Sequence, residues 1–206
     1  MIPDTFNLAN ITDTCALWHI VGADTLFRTA RRANVAFIIT STVHYECFIK
    51  TRGTSPTAER QAMQQTLRGH LDAKQVTKVA LTIADLQDTL DFASRNGLDK
   101  RLGQGELSCA ALARSLGHPA VLTDNRTDFK AIEQLVDGRL QKTPLLLGWL
   151  YFEGHLSDAD VAAVVQEHQA SLGQMVGVYK KAYGMACEKR LMRQTLPPSS
   201  PRGGCT

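Results

Sequence analysis

The sequence predicts an α/β domain with a central, mostly parallel sheet and a helical extension at the C-terminus. Three observations predict it. V-A-F-I-I-T, Val35 to Thr40, is a continuous β-branched and aromatic run, as a strand covered on both faces reads. Shorter runs near Leu8 to Thr12, Val76 to Leu81, Ala120 to Leu122 and Arg139 to Thr143 alternate with stretches of helical periodicity, the pattern of βαβ units. Beyond Pro144 only helical patterns remain.

The elements follow in order. The first strand ends at Asp13, and Thr14 to His19 begins a helix. A second helix is expected from Ala23 to Ala33, with Arg28, Arg31 and Arg32 on its polar side. After the Val35 to Thr40 strand, Ser41 or Thr42 is the expected cap of a helix bearing Val43, Glu46 and Cys47. Gly53 to Pro56 reads as a loop, with Ser55 as cap and Pro56 opening a helix to His70. A third strand follows, and Thr82 or Asp85 starts a helix that runs to Arg95 and stops at Asn96-Gly97.

The next stretch, Gly103 to Phe129, organises the rest. Leu107, Ala110, Ala111, Ala113 and Leu116 share one helical face and predict a buried stripe. Gly117 is a stop signal with Pro119 just beyond it, and Ala-Val-Leu 120–122 is a short buried strand. A helix over 129–136 and the weak strand, or loop, at 139–143 come next. Pro144 opens an apolar helix broken near Gly154, and Ser157 caps one with Val161, Val164, Val165, His168 and Leu172 inward. A last helix is expected over 174–194. The final T-L-P-P-S-S-P-R-G-G-C-T reads as disordered. These readings divide the chain into an α/β domain over 1–155, a helical extension over 156–195 and a tail over 196–206.

Four acids recur at matching places. Asp13 follows the first strand, Glu46 lies in the helix after the second, Glu106 opens the helix before the fourth, and Asp124 ends that strand. In a right-handed parallel arrangement these points converge on one edge of the sheet, where open α/β sheets bind ligands. Acids gathered there repel one another unless a cation neutralises them, and hard Mg2+ or Mn2+ suits oxygen donors. Asp128, one helical turn past Asp124, is an auxiliary candidate, and Thr123 and Asn125 flank Asp124 where they could position water or phosphate. Arg28 and Arg32 could hold a phosphate backbone. The bland alternatives are a dipole-favoured surface Glu106, a helix-capping Asp124 and a solvated arginine face.

Composition narrows the classes. No apolar run approaches the ~20 residues of a membrane span, and M-I-P-D-T-F-N lacks the charge and apolar core of a signal peptide, so a cytoplasmic protein is expected. Five cysteines form no C-x-x-C pair and read as free thiols, three of them buried, rather than as zinc ligands or disulfides. The formal charge of +3 is uneven: residues 180–206 carry six basic side chains against Glu188 alone. A basic tail on an acidic body fits a nucleic acid or acidic partner, or simple solvation.

The motifs I-T-D-T-C-A-L, S-T-V-H-Y-E-C-F, G-Q-G-E-L-S-C-A-A-L-A and L-T-D-N-R-T-D-F together resemble, in order and spacing, the four acidic motifs of PIN-domain nucleases. This family includes the VapC-type toxin ribonucleases. The likeness covers roughly residues 8–155. It implies a three-layer α/β/α fold and Mg2+- or Mn2+-dependent hydrolysis of RNA, with Asp13, Glu46, Glu106 and Asp124 as metal-binding acids and Asp128 as an auxiliary one. It also implies an antitoxin partner and a homodimer. The chain departs from the family at Cys15, where Ser, Thr or Asn is usual and a thiol is a poorer donor to Asp13. It departs again at Glu106, where the toxins mostly carry aspartate. Two other readings of the same fold stand beside this one: a binding or scaffold protein without catalysis, and a nuclease acting on DNA.

Overall fold

The computed structural model describes residues 6, 9–50, 57–98, 100–117, 119–125, 129–137, 139–171 and 175–195. Five strands form one sheet: β1 (Ala9–Thr12), β2 (Ala36–Thr40), β3 (Val76–Val79), β4 (Ala120–Leu122) and β5 (Leu140–Gln141). Their order is β3-β2-β1-β4-β5, and every pairing is parallel. The expected mostly parallel sheet is thus all-parallel among the described residues. The helices between strands are α1 (Thr14–Val21), α2 (Asp24–Arg32), α3 (Ser41–Phe48), α4 (Ala58–Asp72), α5 (Ile83–Arg95), α6 (Gln104–Ser115) and α7 (Phe129–Leu135). The chain continues as α8 (Thr143–Phe152), α9 (Asp158–Ser171) and α10 (Val176–Thr195). Helices flank the sheet to give a three-layer α/β/α arrangement.

The three central strands are short and line the core, whereas Thr77 and Lys78 of the edge strand β3 are exposed. Ile11, Phe37, Ile39, Val121 and Leu122 are all buried, as strands covered on both faces require. Ile11 sits on the central strand, in register with Ile38 on one side and Val121 on the other. Truncating it leaves a cavity that neighbours on two strands cannot fill. Ile11→Ala is expected to lower stability by roughly 2–5 kcal/mol, read as a lower urea midpoint. An unchanged midpoint would contradict this packing.

Helix α6 packs against β1, β2 and β4, and Leu107, Ala110, Ala111 and Ala113 are buried as expected. Leu116 is not: it follows the helix as its C-cap and is half exposed. Gly117 has φ +74°, which an L side chain adopts only with strain, so the stop lies where the sequence puts it. Thr40, the last residue of β2, caps α3 by accepting from Val43 N, so the cap lies one residue before Ser41 and two before Thr42, the expected positions. Helix α4 is capped by Thr57; the expected Ser55-Pro56 start and the Gly53 loop lie outside the described residues. Thr82 caps α5 in a reciprocal box with Asp85, and Ser157 does the same with Asp160 before α9.

Of the four described cysteines, Cys47 and Cys109 are buried, Cys187 is half-buried and Cys15 is exposed, so the expectation of three buried thiols holds for two of these. The extension packs into the same core as the sheet: Val161, Val164, Met175, Tyr179 and Ala186 join its hydrophobic cluster. Glu167 of α9 accepts from Thr25 N and Thr25 Oγ1 at 3.2 and 2.7 Å, a carboxylate at the amino end of α2. Leu172 and the 196–206 tail lie outside the described residues. No helix among the described residues is long and apolar enough to cross a membrane.

Candidate functional site

The strand order runs outward from β1 in one direction and from β4 in the other. The connections therefore diverge between β1 and β4, and a crevice opens outside their carboxyl ends. The register sets what stands there. Thr12 pairs with Leu122, and Asp13 N donates to Leu122 O at 3.0 Å. The residues leaving the two strands, Asp13 and Thr123-Asp124, therefore lie side by side.

Asp13 serves two roles. As N-cap of α1 it accepts from Ala16 N through Oδ1 at 2.7 Å, while Oδ2 accepts a short hydrogen bond from the Thr123 hydroxyl. It is 3% exposed. Burial, reinforced by the neighbouring carboxylates Asp124 and Glu106, pushes its carboxyl up to about 7 despite those two donors. The weak support expected from Cys15 is made good elsewhere. Cys15 points to the surface, and Thr123, from the other strand, supplies the hydroxyl. Thr123 itself is fully buried, so the side chain read from sequence as a substrate contact holds Asp13 in place.

Glu46 reaches the same edge from α3. Its Oε2 accepts from Thr14 Oγ1 at 2.6 Å, one residue from Asp13, and its Oε1 pairs with Lys50 at 3.1 Å. The start of α6 is fastened beside it. Ser108 Oγ bonds Thr40 Oγ1 at 2.7 Å and donates to Gly105 O at 2.8 Å. Gly105 is then so close to Glu46 that a Cβ there would lie 2.6 Å from Oε2. Glu106 follows directly. Its Oε1 accepts from Asn125 Nδ2 at 3.0 Å, and a Cβ on Gly103 would meet its Oε2 at 2.5 Å. Two glycines thus leave room for two carboxylates.

Asp124 is buried, with both oxygens engaged. Oδ2 is 2.7 Å from His19 Nδ1, and Oδ1 accepts from Thr143 N, the first residue of α8, at 3.0 Å. It therefore serves the amino end of α8.

The structure brings Asp13, Glu46, Glu106 and Asp124 to one edge, with Thr123 and Asn125 among them. Asp128 lies outside the described residues. Arg28 and Arg32 are elsewhere. Arg32 ends α2 beside the amino end of β2, the edge opposite the acids, and donates to Thr29; Arg28 is exposed and pairs with Asp24. Cys109 touches Thr12 O at 3.9 Å, but burial raises its thiol well above the usual range, so it is no nucleophile.

The donor set, four carboxylates and no thiolate, suits a hard divalent cation; the Asp13 carboxyl is raised chiefly by burial, with Asp124 and Glu106 adding to it. Among the described residues, no three His, Cys, Asp or Glu side chains stand in a geometry that could hold a metal ion. Glu46 is turned toward Thr14 and Lys50, and Asp124 toward His19 and Thr143. The acids fit such an ion by chemistry and by location, and coordination calls for a turn of these side chains.

Sequence reasoning missed His19 and Thr14. His19 carries no zinc spacing and its partner lies 105 residues away; the one local signal is its place on the helix that Asp13 caps. Compared with protein-family models, with curated proteins and with solved structures, the chain matches none.

Proposed function

We propose that the protein is a divalent-metal-dependent endoribonuclease that hydrolyses RNA phosphodiester bonds. The observation that carries this reading is the meeting of Asp13, Glu46, Glu106 and Asp124, from four separate elements, at the crevice between β1 and β4. Excess buried negative charge at a ligand-binding edge is unfavourable for the chain alone and favourable for one that receives a cation there.

Hydrolysis forms a bond from water oxygen to phosphorus and breaks one ester P–O bond, whose oxygen takes up a proton. Mg2+ or Mn2+, when bound, supplies acidification of water and neutralisation of phosphate charge. Asp13, Glu46, Glu106 and Asp124 are the residues that would hold it. The second ring of contacts orients them: Thr123 and Ala16 N hold Asp13, Thr14 holds Glu46, Asn125 holds Glu106, and His19 and Thr143 N hold Asp124. Such support is what keeps acidic ligands in a productive orientation. We extend the proposal, on the family likeness, to a cytoplasmic toxin that is held by an antitoxin protein and forms a homodimer.

Purified protein is expected to cut single-stranded RNA with Mg2+ or Mn2+ and to fall to background in EDTA. Cleavage that persists in chelator removes the metal from the reading. Running single-stranded DNA alongside decides between the two nucleic acids. One observation favours a second reading, a binding protein on the same fold: the acids, though neighbours, are turned toward Lys50, His19 and backbone donors rather than toward a common point. Calorimetric titration separates the two, since a scaffold takes up neither ion.

A further inference from the structure

The acidic crevice is joined to the C-terminal helices by a row of three rings. His19 of α1 bonds Asp124 through Nδ1 at 2.7 Å. Its ring meets that of His168, on α9, edge to face, with centroids 5.9 Å apart and an angle of 67°. His168 in turn stacks on Tyr179 of α10, at 4.6 Å and 28°. Both separations lie in the range where aromatic pairs attract. Three helices that meet nowhere else in such a row thus end on one carboxylate.

Stability does not account for the residue types in this row. His168 and Tyr179 are fully buried. Among the described residues the His168 ring nitrogens and the Tyr179 hydroxyl make no hydrogen bond of good geometry, although the His168 ring also lies against the His19 backbone. A buried polar group left so is unfavourable, and an apolar pair of the same shape would avoid the penalty. Burial also draws the His168 pKa down to about 4, so its ring stays neutral. What the row does supply is a flat wall. His19 is only 17% exposed at its side chain, and Asp124 only 2%; with His168 in place the imidazole has little room to swing away from the carboxylate.

We infer that His168 and Tyr179 are positioning residues: the C-terminal helices hold the His19 ring, and through it the Asp124 carboxylate, in the orientation that the acidic site uses. The inference rests on the nuclease reading for its kinetic consequence and on geometry alone for the rest, so its test has two arms.

The first arm needs no activity. In a long-range 1H–15N spectrum of the metal-free protein, the proton on His19 Nδ1 should appear as a downfield, slowly exchanging resonance, because a carboxylate accepts it. It should broaden away in His168→Ala and in Tyr179→Leu, and persist in His168→Phe, which restores the ring. The second arm is RNA cleavage in Mg2+. In His168→Ala and Tyr179→Leu, kcat should fall about tenfold or more with KM within about threefold, and His168→Phe should return kcat to within about threefold of the parent. Circular dichroism selects the variants that fold, and Tyr179→Leu keeps the test open should His168→Ala unfold. An unchanged His19 resonance in both truncations overturns the inference, and so does equal loss of kcat in His168→Ala and His168→Phe. If the parent protein cleaves no RNA, the nuclease reading fails and the spectrum still decides the row of rings.

Discussion

Replacing Asp13 with asparagine is expected to lower RNA cleavage by about 1,000-fold or more, the equivalent of roughly 4 kcal/mol of lost transition-state stabilisation. The same substitution is expected to make the fold more stable at pH 8, by roughly 2–4 kcal/mol. The two effects have one cause. The Asp13 carboxyl is pushed up from 3.8 to about 7 by burial and by the acids beside it. The folded protein therefore holds this proton more tightly than the unfolded chain does. Wherever the folded state binds more protons, stability falls as pH rises, so the penalty grows from pH 3.8 to about 7 and is constant above it. Asparagine carries no charge; its single Oδ1 can still accept from Ala16 N while its Nδ2 donates to the Thr123 hydroxyl oxygen, so the cap of α1 survives. Thermal melts of both proteins should converge below pH 4 and diverge to a fixed gap above pH 7. Added Mg2+ should raise the melting temperature of the parent and not that of the variant. Parallel melting curves at every pH would show that Asp13 bears no strain of charge.

Gly105→Ala should separate activity from stability. The three atoms nearest the new Cβ would all belong to the Glu46 carboxylate: Oε2 at 2.6 Å, Cδ at 3.2 Å and Oε1 at 3.5 Å. A flexible side-chain end can give way where backbone could not. Alanine also suits a helix better than glycine, by about 0.5–1 kcal/mol. The melting temperature should therefore stay level or rise. The Glu46 carboxylate must move, and its 2.6 Å bond to Thr14 goes with it. Displacement of that size near reacting atoms is expected to reduce kcat by about 100-fold. Full activity in a folded Gly105→Ala protein would remove Glu46 from the working site.

Three of the four acids were legible because each sits at an end of a strand or helix, and Glu46 because its helix follows directly on a clear strand. A strand end beside Asp13 or Asp124, and a helix start at Glu106, are local patterns that a right-handed parallel topology then converts into proximity. The sheet was legible for the same reason, down to the capping of α5 by Thr82 and the stop at Gly117. What escaped were the partners. Thr123 finds Asp13 across 110 residues, and Thr14 finds Glu46 across 32. A hydroxyl or imidazole has no periodicity of its own, so nothing local distinguishes one that holds a carboxylate from one that faces water. The arginines failed in the opposite sense. Arg28 and Arg32 have the right chemistry for phosphate, but α2 runs back toward the amino ends of the strands and carries Arg32 away from the acids. Leu116 was misjudged because a helical stripe was read one residue past the end of its helix.

The two neighbours of β1 come from very different distances along the chain. Its pairing with β2 closes a loop of 27 residues, Ala9 to Ala36, and its pairing with β4 one of 110, Asn10 to Ala120. The longer closure costs about 1 kcal/mol more in chain entropy and is the slower to form. During synthesis the β1–β2–β3 half can assemble, with Glu46 already against Thr14, while Glu106 and Asp124 have yet to arrive. Mutual repulsion among the carboxylates is then postponed to the final docking step, after most of the sheet has its shape. A nascent polypeptide organised this way passes through its early folding before its four acids have met.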